Sequence, residues 1–178
     1  VVALYENVRG AAYAYQRGAN GWSRTRLPLP QNLTVSLGSA SDRSDQLFIN
    51  ISGYLTPQTL MLADAAAGTA EVVRAAPAKF DATGLVVEQY EATSADGTKV
   101  PYFIVRRADA PRDGSTPTLL GGYGGYQISQ LPGYSPVRGK LWLERGGAYA
   151  VANTRGGGEF GPAWHQAAIG PNRDRAHE

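Results

Sequence analysis

The feature that most constrains this chain is a series of short alternating segments that ends near residue 75. Within it, apolar and polar residues alternate in short runs separated by turn residues, at 1–5, 11–16, 33–37, 46–55 and 60–64. Alternation places every second side chain on one face of a strand. Short strands at near-regular spacing are typical of an all-β array such as propeller blades. A plain β-sandwich fits the same pattern, since no repeated signature separates the two folds.

The segment that follows predicts a β-hairpin. Residues 75–81 break the alternation and are interpreted as a linker. Residues 85–93 and 100–106 are rich in β-forming side chains, and an Asp-Gly pair lies between them. Such a pair between two β-rich runs is a strong hairpin signal. Residues 109–117 are polar and turn-rich, which indicates a surface loop.

The last third of the chain changes to an α/β pattern. Residues 118–122 form a short apolar run without polar alternation, which predicts a strand buried on both faces. Residues 136–145 predict a helix, with Pro near its start and Gly after its end. Residues 148–153 predict a second strand, parallel to the first because a helix connects them. Residues 162–168, after a glycine-rich loop, predict a short helix with Pro in its first turn.

Composition and charge exclude several classes of function. The formal net charge is only +2 and the basic residues are scattered, so no nucleic-acid partner is predicted. The chain has no cysteine, which excludes disulfides and thiolate chemistry. No apolar run is long enough to span a bilayer, so no membrane partner is predicted. The compartment stays open between cytoplasm and periplasm.

Neither the histidines nor the glycine runs predict a cofactor or metal. His165 and His177 match no common ligand spacing. The run Gly156-Gly157-Gly158 is not followed by Lys-Ser/Thr, which excludes a phosphate-binding P-loop. The glycines at 122 and 124 lack the third glycine of a dinucleotide-binding turn, because position 127 is Gln. The triple glycine instead predicts close backbone approach or a positive φ in a tight connection.

Four short motifs occur in a fixed order along residues 96–165. They are Asp96-Gly97-Thr98-Lys99-Val100-Pro101, Gly122-Tyr123-Gly124-Gly125-Tyr126, Ala152-Asn153-Thr154-Arg155-Gly156-Gly157-Gly158-Glu159-Phe160-Gly161 and Trp164-His165. In this order they resemble the prolyl oligopeptidase family of serine peptidases, and the Leu55-Thr56-Pro57 triplet is similar to one near the end of that family's propeller. The resemblance implies a mixed fold, with the C-terminal blades of a β-propeller in residues 1–76 and the N-terminal part of an α/β-hydrolase peptidase domain in residues 77–178.

The resemblance also implies an activity and site residues. It implies a serine peptidase that hydrolyses short peptides by acyl transfer, with cleavage after proline favoured. Tyr123 matches the tyrosine that donates its hydroxyl to the oxyanion, and Tyr126 matches an aromatic residue that lines the pocket for the residue before the scissile bond. Arg155 and Glu159 flank the three glycines at 156–158 and are expected to hold this structural loop by ion pairing. From the residues alone, packing roles for both tyrosines stay open.

The catalytic triad is absent from the chain. The G-x-S-x-G pentapeptide of the family's nucleophile does not occur in it, and neither histidine matches the catalytic one. We therefore expect an internal fragment that is inactive alone and has the remainder of its own polypeptide as partner. Oligopeptidase B and acylaminoacyl peptidases are alternatives within the same clan. A non-catalytic β-rich binding module and a natural truncation acting as a regulator are alternatives from other classes.

Overall fold

The computed structural model describes all residues from 1 to 178. The chain forms two compact units. The first comprises Val1–Ala78 and Leu131–Ser135, and the second comprises Lys79–Gln130 and Pro136–Glu178. The chain therefore passes from the first unit to the second within the segment interpreted as a linker, and a five-residue segment of the later chain packs with the first unit.

The first unit contains two antiparallel sheets in which each strand pairs with its neighbour in sequence. The strands β1 (Val2–Glu6), β2 (Arg9–Gly18) and β3 (Gly21–Arg26) form a three-stranded sheet. The strands β4 (Leu33–Ala40), β5 (Gln46–Gly53), β6 (Thr59–Asp64) and β7 (Thr69–Ala75) form a four-stranded sheet in that order. The strands predicted from the alternation are all present.

The core of this unit lies between the two sheets. Every second residue of β5 and β6 is buried, as period-two alternation requires. These residues share one apolar cluster with residues of β2, β4 and the segment between β3 and β4. The buried members of the cluster are Ala12, Ala14, Leu27, Leu33, Val35, Leu47, Ile49, Ile51, Met61 and Ala63.

The second unit is built on one mixed sheet with short helices. Its strands are β8 (Leu85–Thr93), β9 (Lys99–Arg107), β10 (Thr118–Gly122) and β11 (Ala148–Ala152), in the order β10-β11-β9-β8. Strands β8 and β9 form the predicted hairpin, and β10 and β11 form the predicted parallel pair. The helices are α1 (Pro136–Leu141) and α2 (Pro162–Gln166), with 3₁₀ turns at Leu143–Arg145 and Gly170–Ala176.

Two details of the α/β prediction are wrong. Strand β10, the edge strand of the sheet, is not buried on both faces, because the chain covers little of either: Leu119 and Leu120, which point to opposite faces, are 46% and 72% exposed. The central strand β11 is the buried one. The helix predicted over residues 136–145 breaks at Trp142, whose indole N–H donates to the Ala148 carbonyl at 2.7 Å. None of the helices has the length and apolar character needed to cross a bilayer.

Candidate active site

The second unit contains an open cavity of about 460 Å³ beside the carboxyl ends of β10 and β11. Loops that follow the carboxyl ends of parallel strands are where α/β folds place their ligand sites. Tyr123 directly follows β10 and lines this cavity. Arg155, Arg173, Arg175 and Glu178 also line it. The cavity therefore combines a phenol with charged side chains of both signs.

The Tyr123 phenol is available to a ligand. The residue is 40% exposed and lines the open cavity. A Cβ atom at Gly125 would lie only 3.1 Å from the Tyr123 hydroxyl oxygen, so the end of the ring lies close to Gly125. A tyrosine hydroxyl can both donate and accept hydrogen bonds.

The residues after Tyr123 have a strained backbone. Tyr126 and Gln127 have φ values of 51° and 57°, which place two successive non-glycine residues in the left-handed region. Such conformations cost on the order of 1–3 kcal/mol each and cluster at functional sites. Tyr126 is 84% exposed and is not among the residues that line the cavity. Its predicted role in a substrate pocket stays a prediction.

Residues 123–130, the tyrosine loop, lie against residues 153–161, the glycine loop. A Cβ atom at Gly124 would overlap the Arg155 carbonyl oxygen, and one at Gly156, where φ is +94°, would overlap the Gly124 carbonyl oxygen. The Gln127 amide donates to the Gly156 carbonyl at 3.3 Å. Only glycine permits this approach, because any side chain would separate the two loops.

Helix α2 holds the glycine loop from its other side. The Trp164 indole N–H donates to the Thr154 carbonyl at 3.1 Å, and the Gly156 amide donates to the Trp164 carbonyl at 2.9 Å. The His165 Nδ1 atom is 2.6 Å from the Gly156 carbonyl oxygen. Because a carbonyl only accepts, this contact requires the tautomer or charge state with hydrogen on Nδ1.

Asn153 and Glu159 hold the far end of the tyrosine loop, a role that the sequence did not reveal for Asn153. The Asn153 side-chain amide donates to the Gln130 backbone carbonyl at 2.7 Å, and the Gln130 backbone N–H donates to Glu159 Oε1 at 2.8 Å. Asn153 is fully buried. A buried polar side chain directly after a strand is the signal that could have identified it, since such groups need internal partners.

The Arg155 ion pair differs from the prediction. Arg155 does not pair with Glu159 but with Asp96 in the turn of the β8–β9 hairpin, and more distantly with Glu178 at 3.6 Å. Arg155 contacts the hairpin turn, whereas Glu159 accepts a hydrogen bond from the Gln130 backbone N–H, so the two charged side chains have separate partners. Hydrogen bonds from the Thr98 side chain and backbone, followed by that from Arg155, hold the pKa of Asp96 far below its usual range.

Comparison with known proteins covers both units. A family model described as the prolyl oligopeptidase N-terminal β-propeller domain matches residues 1–76. The chain is 53% identical to an uncharacterized peptidase of Sinorhizobium fredii, over 100% of this chain and 24% of the relative. It is 39% identical to a prolyl endopeptidase of Elizabethkingia miricola, over 79% of this chain and 20% of the relative. A solved post-proline cleaving enzyme from Rickettsia typhi superposes with a TM-score of 0.79 at 36% identity, over 98% of this chain and 25% of that one.

The family match identifies the two antiparallel sheets of residues 1–76 as part of a β-propeller domain, and this match excludes the sandwich alternative, which the sheets by themselves would also fit. The chain belongs to the prolyl oligopeptidase family. The family resemblance carried by the four motifs is thereby confirmed. The chain spans about a quarter of the length of the curated relatives, 24% in the case of the Sinorhizobium peptidase.

Proposed function

We propose that this chain is part of a serine-type oligopeptidase that hydrolyses short peptides by acyl transfer, preferentially after proline. The observation that carries the proposal is the partly exposed Tyr123 phenol, which lines a cavity at the carboxyl ends of a parallel strand pair. In this proposal residues 1–76 are propeller blades and residues 77–178 begin an α/β-hydrolase domain. The remainder of the same polypeptide supplies the nucleophilic serine and its Asp and His partners.

Tyr123 would act as a donor to the oxyanion of the tetrahedral intermediate. Negative charge develops on the substrate carbonyl oxygen only in the transition state, so a donor fixed in advance lowers the barrier. One such donor contributes about 3 kcal/mol. Arg173 and Arg175 line the same cavity and favour this negative charge, whereas the Glu178 carboxylate in the lining opposes it.

Tyr126 would form a wall for the residue before the scissile bond. A flat aromatic face suits the compact apolar ring of proline. Its 84% exposure means that the chain itself leaves the side chain largely uncovered. The glycine loop, with Arg155, the three glycines at 156–158 and Glu159, would support the site without contacting the substrate.

Similar proteins support the proline preference. The relative from Elizabethkingia miricola is named a prolyl endopeptidase, and the solved protein from Rickettsia typhi is described as post-proline cleaving. Both match this chain over the segment that carries Tyr123 and Tyr126, since they cover 79% and 98% of it.

The test uses the full-length polypeptide and fluorogenic peptides that carry proline or arginine before the leaving group. We expect cleavage after proline, inhibition by a serine-directed fluorophosphonate, and a kcat for Y123F that is lower by about 10²- to 10³-fold. The matched control is Y90F, which removes a phenol that donates to Glu88 on the sheet surface. Faster cleavage after arginine would contradict the proline preference. An unchanged kcat in Y123F would exclude the oxyanion role.

A further inference from the structure

Asp96 and Arg155 connect two parts of the second unit that are 59 positions apart in sequence. Asp96 lies in the turn of the β8–β9 hairpin, and Arg155 lies in the glycine loop. Arg155 is only 3% exposed, and one of its Nη atoms contacts Asp96 while the other donates to Ser94 Oγ at 2.7 Å. The Thr98 hydroxyl is a further acceptor at 3.4 Å. The hairpin turn therefore provides a fitted receptor for this guanidinium.

A contact of this kind is an unusual way to stabilise a fold. Removing a guanidinium from water is costly, and a well-packed apolar pair is often equally stabilising. What the ion pair does provide is geometric definition, because the planar guanidinium binds its acceptors in fixed directions. Arg155 Nε remains buried without an acceptor, so the arrangement is not optimised for hydrogen bonding alone.

Arg155 contacts the backbone of the residue that follows Tyr123. The Arg155 carbonyl oxygen lies against Gly124 with no space for a Cβ atom. On its other side, the Gly124 carbonyl accepts a hydrogen bond from Arg173. The Gly124 backbone is thus confined between the two arginines, and Tyr123 is the residue before it.

We propose that the Asp96–Arg155 ion pair positions the Tyr123 hydroxyl, so that Asp96 and Arg155 are positioning residues for the oxyanion donor. This proposal rests on the proposed function of Tyr123. Neither residue needs to contact the substrate, because both act through the backbone of the two loops. A misplacement of about 1 Å at such a donor costs about 100-fold in rate.

The test is a double-mutant cycle between D96N and Y123F in the full-length polypeptide. D96N removes the charge while keeping the shape, so it disturbs folding less than a change at the buried arginine. We expect D96N to lower kcat by about 10- to 100-fold with KM unchanged. In the Y123F background D96N should have no further effect, since the group that it positions is gone. R155K, which keeps the charge but loses the planar fork, should also lower kcat.

The control is D109N, which breaks the exposed Arg107–Asp109 pair of the same unit and should leave kcat unchanged in both backgrounds. An equal loss from D96N with and without the Tyr123 hydroxyl would overturn the positioning role, since it would show a general structural effect. An unchanged kcat in Y123F would instead overturn the proposed function of Tyr123.

A second readout is independent of activity. ¹⁹F NMR of fluorotyrosine at position 123 should show a resonance that shifts or broadens in D96N but not in D109N. An unmoved resonance would overturn the positioning role even if Y123F is slow. A moved resonance with a silent Y123F would retain the positioning role and reject the oxyanion role.

Discussion

The backbone of Gly124 lies against the carbonyl oxygen of Arg155 with no space for a Cβ atom between them. This proximity follows from the register of the parallel pair, in which Gly122 at the end of β10 is opposite Ala152 at the end of β11. The two loops leave the sheet at the same edge and side by side. The location of Tyr123 is therefore determined by strand register and by the glycines that let the loops touch.

Gly124→Ala should separate the two loops. The added Cβ would overlap the Arg155 carbonyl and lie 2.6 Å from Thr154 Oγ1, so backbone must move. We expect a loss of about 1–3 kcal/mol in stability, as for other overpacked sites, together with a large fall in kcat. Urea unfolding measures the first and peptide cleavage the second. The matched control is Gly133→Ala, where the nearest atom to the new Cβ is 4.0 Å away, and equal behaviour of the two variants would contradict this account.

Gly125→Ala should impair catalysis while leaving stability nearly unchanged. Its Cβ would lie 3.1 Å from the Tyr123 hydroxyl oxygen, and the tyrosine ring can move away more easily than backbone can. We expect kcat to fall by about 10-fold or more because the donor is displaced, and unfolding free energy to change by less than about 0.5 kcal/mol. Steady-state kinetics measures the change in kcat, and urea unfolding of the same sample measures the change in unfolding free energy. A normal kcat would show that the hydroxyl does not work from its present position.

Local patterns in the sequence predicted most of the fold. The strands, the Asp96-Gly97 hairpin and the parallel pair all follow from short-range signals, namely alternation, turn residues and apolar runs. The exposure of Leu120 could not be predicted in this way, because an apolar strand has the same sequence pattern whether or not another element covers it. The helix break at Trp142 was also missed, and the indole hydrogen bond to Ala148 that accompanies it involves a residue outside the helix.

The site was predicted less completely for a physical reason. The motifs pointed to Tyr123 and to the glycine loop, but adjacency in sequence suggested Glu159 as the partner of Arg155. The actual partner, Asp96, is 59 positions away and is brought close only by the sheet. Likewise, the role of Asn153 depends on Gln130, which lies on another loop. Side-chain partners on separate loops are set by tertiary structure, which a one-dimensional pattern does not contain.

Acidification should weaken the Asp96–Arg155 ion pair between the hairpin and the glycine loop, because protonation removes the charge of Asp96. Its pKa is lowered in the folded state, so the ionised form binds its partners and stabilises the fold at pH values above the unfolded-state pKa of about 3.9. This stabilisation is lost as the pH falls below that value towards the lowered folded-state pKa. We therefore expect the difference in stability between the original protein and D96N to shrink on acidification from about pH 5 downwards. Urea midpoints measured at several pH values give this difference, and a constant difference would contradict the linkage.

Asn153→Ala should loosen the far end of the tyrosine loop. Asn153 is fully buried, and its amide donates to the Gln130 carbonyl at 2.7 Å and to Glu159 Oε1 at 3.2 Å. Removing the donor leaves these two partly buried acceptors without a hydrogen bond from position 153, which lowers the free energy of unfolding by about 1–3 kcal/mol. Hydrogen–deuterium exchange of peptides from residues 123–130 should become faster, because the Gln130 peptide group loses one of its two anchors.

The matched variant for this test is Glu159→Gln, which keeps a side-chain oxygen available to the Gln130 amide. It should therefore accelerate exchange in residues 123–130 less than Asn153→Ala does. If Asn153→Ala instead leaves exchange in the tyrosine loop unchanged and accelerates it only in β11, the buried amide supports the strand end rather than the loop. In that case the glycines at 124 and 156, and not Asn153, would be what fixes the loop.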